Sequence, residues 1–152
     1  MNSIAISSRW LFLLTVIGST LISIALFIYG FLLSITIIIV SLTTYELSLE
    51  SMKIFMASSI QVIDLFLVAT VFYIVSLGFY ELFIAKAPLP GWLKICDLDD
   101  LKTKVLGLVI IALSVLLLGV ALTWDGSSDI LAFGLATSSG IIAIAAYIWV
   151  KH

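Results

Sequence analysis

Charge is what this 152-residue chain has least of: seven Lys or Arg, nine Asp or Glu and a single His, 11% charged residues against 63% hydrophobic ones. A soluble domain carries about 25% charged residues, so this composition excludes an ordinary soluble fold. The formal charge of −2 comes with no basic patch interleaved with aromatics, which excludes a nucleic-acid groove. One cysteine, Cys96, excludes an internal disulfide and a Cys-based metal cluster. The lone His152 offers no cluster of ligands, and Asp97, Asp99 and Asp100 lack the spacing of a calcium loop, so neither metal nor cofactor is expected. No HExxH, GxSxG, P-loop or dinucleotide fingerprint is present, and the chain is expected not to be an enzyme.

What the chain does have is long apolar runs. A crossing needs about 20 apolar residues, so this length allows four spans and little else. The expected fold is all-α, a four-transmembrane-helix bundle in a single integral membrane domain, with spans at about 10–42, 57–85, 104–124 and 129–150. Arg9 and Trp10 precede the first run, a cation and an indole suited to the headgroup region. That run continues to Leu42, beyond any signal-peptide h-region, and is expected to be retained as a span that tilts or protrudes. Between Thr43 and Met56, Tyr45, Leu49, Met52 and Met56 repeat at helical intervals beside Glu46, Glu50 and Lys53. This stretch is either an interfacial helix or an extension of a neighbouring span. Pro88, Pro90 and Gly91 break the helix after the second span, and Trp92 is suited to the interface. Asp97 is a helix cap with Asp100 three residues on, and Asp129 starts the fourth span after the turn at Asp125, Gly126, Ser127 and Ser128.

The second span contains the residue that most needs a physical reason. Asp64 lies among Leu, Val, Ile and Phe, where a carboxylate costs about 2.5–3.5 kcal/mol on insertion scales. Gln61 stands one turn before it, on the same side. Glu81 lies about 25 Å further along the helix, too far for the two acids to act as an acid/base pair. Asp64, Gln61 and Glu81 are therefore expected to form a buried polar centre or an ion pathway.

Small residues define further seams. Ser8, Thr15, Ser19, Ser23, Gly30, Ser34 and Ser41 recur at four or seven residues on the first helix, and Gly107, Ser114 and Ala121 stand one heptad apart on the third span. Ser19, Ser23, Gly30, Ser34, Gly107 and Ser114 are expected to pack helices, toward Asp64's helix or a second copy. Ala132, Ala136, Ser139, Gly140 and Ala143 share one side of the last span. Six of the seven basic residues, Arg9, Lys86, Lys94, Lys102, Lys104 and Lys151, fall on one side of the threading, and only Lys53 on the other. Both termini are thus expected to be cytoplasmic or stromal.

Asp64, Gly78–Phe83 (GFYELF), Asp97–Val105 (DLDDLKTKV) and Ser8–Leu11 (SRWL) together resemble the YqhA-like family of small integral membrane proteins of bacteria and plastids. The resemblance implies four spans in a bacterial plasma membrane or thylakoid. It draws attention to Asp64, Tyr80, Glu81 and Lys104 without assigning them roles. Two functions are expected in competition. One is a membrane interaction protein, a homo-oligomer or accessory subunit packing through small-residue faces, with membrane lipid and partner spans around it. The other is an oligomeric ion or proton conduit using Asp64.

Overall fold

In a computed structural model, residues 2–43, 48–86, 88, 90–91, 93–124, 126 and 129–151 are described, with side chains from residue 10 to residue 150. The expected turn residues Asp125, Ser127 and Ser128, the anchor Trp92, Tyr45 and Glu46, and His152 lie outside them. Four helices follow in chain order: α1 (Asn2–Thr43), α2 (Leu49–Phe83), α3 (Leu98–Thr123) and α4 (Ile130–Lys151). Each contains a stretch long and apolar enough to cross a membrane: Trp10–Thr43, Leu49–Phe83, Leu98–Thr123 and Ile130–Val150. The four-span helical fold is thus present, with no strand among the described residues.

Local chemistry explains where the helices start and stop. Ser48 caps α2, its side chain accepting from the Ser51 amide at 3.1 Å, so the stretch before Met56 extends the second span. The far end of α2 is closed by the Ile84 and Ala85 amides, which both donate to the Tyr80 carbonyl. The helix therefore ends before Pro88. Asp97 caps α3, its Oδ1 accepting from the Asp100 amide at 2.7 Å. Asp129 does the same for α4, accepting from the Ala132 amide at 3.1 Å. Both carboxylates satisfy amides that have no intrahelical partner, as the sequence leads one to expect. In the short link before α4, Gly126 adopts φ 85°, a conformation that costs a residue with a Cβ about 1–2 kcal/mol.

Packing follows chain order. Among the described residues the backbones of α1 and α2, α2 and α3, and α3 and α4 approach closely, and those of α1 and α3, α1 and α4, and α2 and α4 do not. The bundle is consequently open, a row in which α2 and α3 each have two neighbours. Its accessible surface is 10471 Å², against roughly 7,600 Å² for a compact soluble chain of this mass.

The α1–α2 contact uses small residues and rings. Ser23, 1% exposed, donates to the Ala69 carbonyl at 2.9 Å. One turn away, the Val16 carbonyl and the Thr20 and Ser76 hydroxyls form a closed polar contact, with the two hydroxyl oxygens 2.5 Å apart. Gly30 admits Phe66, whose ring atoms stand 3.0 and 3.2 Å from where a Cβ would be. At the end where α1 begins, Phe12 stacks on Phe83 with ring centroids 3.8 Å apart.

The clefts between α2 and α3 give their mutual register. Ala57 and Thr123 line one cleft, and Val75 and Val105 line one groove, so residues 57–75 of α2 run beside residues 105–123 of α3. The first turns of α2, from Leu49, and the facing end of α1 therefore extend past the α3–α4 hairpin by about 12 Å at 1.5 Å per residue. Asp64 lies near the middle of α2, 15 residues after Leu49 and 19 before Phe83.

Candidate functional site

Two sets of polar residues mark α2, one near its middle and one at its end. Near the middle of α2, Asp64 and Gln61 both line a cleft of about 180 Å³ between α2 and α3, bounded on the other side by Leu116, Gly119 and Thr123. The two helices approach closely at the cleft itself, whose lining includes Ile60 and Gly119. The Cγ2 of Ile60 stands 2.9 Å from where a Cβ on Gly119 would be, so that glycine brings the backbones together. Gln61 is exposed and Asp64 half-buried, and neither makes a hydrogen bond among the described residues. A carboxyl group and an amide thus line a cleft on an apolar, span-length helix with no hydrogen bond from the described residues.

Glu81 does something different. It lies at the far end of α2, where its Oε2 accepts the Ile95 amide at 3.0 Å. It is one of three side chains that hold the connection between α2 and α3. Asp100 Oδ2 accepts from the Cys96 amide at 3.2 Å and from Lys104 Nζ at 3.3 Å, and the same ammonium donates to the Lys94 carbonyl. The polar latch has an apolar base. Leu93 and Ile95 are buried with Ile74 and Leu101, against Leu77, Leu82, Val105 and Leu108. Gly78 makes room for this cluster: a Cβ there would stand 2.5 Å from Leu101 Cδ1 and 3.1 Å from Ile95 Cδ1. The segments Gly78–Phe83 and Asp97–Val105, separate in sequence, are therefore the two halves of one latch.

The structure brings Asp64 and Gln61 together and leaves Glu81 apart from them. Of the small residues, Ser23 and Gly30 lie in the α1–α2 contact, and Ser34 lines a cleft with Ser59 and Val62 while bonding back to the Gly30 carbonyl. Ser19 is half-buried on α1. On α3, Gly107 has open space where a Cβ would project, and Ser114 is exposed and donates to the Ile110 carbonyl. The α3–α4 contact instead runs past Gly134, near Leu117, and Gly140, near Leu113, with Thr137 buried between them. The Thr20–Ser76 pair and the Ser48 cap escaped sequence reasoning. The first is one residue off the small-residue stripe, and the second precedes a segment with no fixed boundary in the apolar pattern. No group of three or more His, Cys, Asp or Glu side chains among the described residues is arranged to hold a metal.

These features define a polytopic α-helical membrane protein with a polar cleft beside the middle of α2 and a structured connection between α2 and α3. The chain belongs to the uncharacterized protein family UPF0114, whose model matches residues 5–121. This is the YqhA family that the motifs resemble, and the match spans α1, α2, the latch and most of α3. No curated protein matches the chain. No solved structure matches it either.

Proposed function

We propose that this protein is an assembly subunit of the membrane, a homo-oligomer or an accessory chain of a larger complex, whose open side is covered by spans of another chain. The observation that carries this reading is Asp64. A carboxyl group near the middle of an apolar, span-length helix, opening with Gln61 into a cleft and lacking a hydrogen bond from the described residues, is stabilised by a protein surface laid across it. The open row supports the same reading, because among the described residues the α4 backbone approaches only α3 and much of α3 and α4 remains uncovered. In this reading no reaction is catalysed. The excess of basic residues at the latch end supports an orientation with that end and both termini in the cytoplasm or stroma, and the reading takes the membrane to be a bacterial plasma membrane or thylakoid.

Particle mass in native lipid tests the reading. A mass of two or more chains of 16.6 kDa, or one chain with a partner, is expected; a monodisperse single chain contradicts it. A second reading rests on the same cleft: copies joined through it bring several Asp64 carboxyl groups around one axis, as in a cation or proton conduit. In liposomes that conduit gives a flux that Asp64→Asn abolishes while assembly survives. No flux from the wild-type protein in any ion gradient eliminates the conduit and leaves assembly standing.

A further inference from the structure

Because the α2 and α4 backbones both approach α3 but not each other, a trough runs between them with α3 as its floor. Near the latch end it opens to about 510 Å³, within the roughly 300–1,000 Å³ of small-molecule sites. Its walls are Val75 and Phe79 of α2 and Tyr147 of α4, its floor is Val105 and Leu106, and Lys102 stands at its outer end. The trough is thus apolar along its length, with a cation and a phenol where α3 begins and α4 ends. That is the polarity of an amphiphile with an anionic head. Lys102 has only a loose ion pair with Asp99 at 3.7 Å, both side chains more than half exposed, and such a pair holds an ammonium weakly. The Tyr147 hydroxyl makes no hydrogen bond among the described residues. It lies about one turn from the end of α4, the level at which tyrosine rings meet headgroups.

We propose that this trough seats an anionic phospholipid, its acyl chain on the α3 floor between α2 and α4 and its phosphate accepting from the Lys102 ammonium and the Tyr147 hydroxyl. The residues that line the site all belong to one chain. Native mass spectrometry of the full chain, released from nanodiscs of equal phosphatidylglycerol and phosphatidylcholine, tests it. Phosphatidylglycerol is expected to be enriched among retained lipids. Lys102→Gln is expected to lower that enrichment roughly fivefold, as loss of one interfacial cation implies. Tyr147→Phe lowers it less, and Lys86→Gln, exposed in the loop outside the trough, leaves it unchanged. Leu106→Trp, which fills the trough, removes both lipids; where that variant does not fold, the Lys102 and Tyr147 variants still decide. Equal retention of the two lipids overturns the proposal, as does an equal loss in Lys86→Gln. Displacement by added inorganic phosphate also overturns it, because the site is then one for a free anion.

Discussion

Two glycines show how differently the same residue type is used. Gly78 sits against the branched end of buried Leu101, so Gly78→Ala gains about 1 kcal/mol in helix propensity but overpacks a site where such insertions cost about 1–3 kcal/mol. Thermal unfolding in mild detergent is expected to show Gly78→Ala less stable than wild type and Gly78→Val much less so. Gly107 meets nothing within 4 Å. Gly107→Ala is therefore expected to be neutral or stabilising in the same measurement, and a loss of stability there would place a neighbour against α3. Ser23 is a third case. Its bond to the Ala69 carbonyl is an interhelical hydrogen bond of a kind worth about 0.6 kcal/mol in membranes, so Ser23→Ala is expected to be mild. Ser23→Leu, which wedges α1 from α2, is expected to be severe; equal effects would mean that the hydroxyl, not the close approach, holds the contact.

At the scale of elements, the 84–97 connection is held by side chains from both helices it joins. A hydrogen bond to a charged group contributes about 1.5–3 kcal/mol, so removing the Glu81 acceptor frees Ile95 and the bond after Lys94. Trypsin cleavage at Lys94 is expected to rise about tenfold in Glu81→Ala and by a similar factor in Lys104→Ala, because cleavage tracks local opening. Unchanged cleavage in both would show that the Leu93 and Ile95 packing suffices alone. This latch also marks the limit of what the sequence discloses. The caps at Asp97 and Asp129 are legible because each bonds an amide three residues on, and Ser23 and Gly30 are legible because spacing reveals a face. The role of Glu81 is not, since its partner amide is fourteen residues away along a loop whose path no local rule fixes. Gly107 and Ser114 share a spacing as regular as that of the first span. Spacing identifies a face but not what lies opposite it, and α3 meets α4 elsewhere. Asp64 is legible as a residue requiring a reason; that its cleft opens sideways depends on the order in which helices pack.

At the scale of the whole molecule, a row of helices with a polar cleft on one side is an incomplete solution to the problem of burying a carboxyl group in a membrane. The long α1–α2 hairpin, its overhang past α3 and α4, and the trough over α3 all follow from described helix backbones approaching one another only in chain order. Covering the Asp64 cleft with another chain completes the burial, and cross-linking reads that cover directly. In a Cys96→Ser background, which removes the sole cysteine, Leu116→Cys places a thiol on the wall of the cleft at a residue 42% exposed. In native membranes a short bismaleimide is expected to convert this variant to a band heavier than one chain. A thiol that a lipid-soluble maleimide labels to completion while the chain stays at the mass of a monomer would contradict the account.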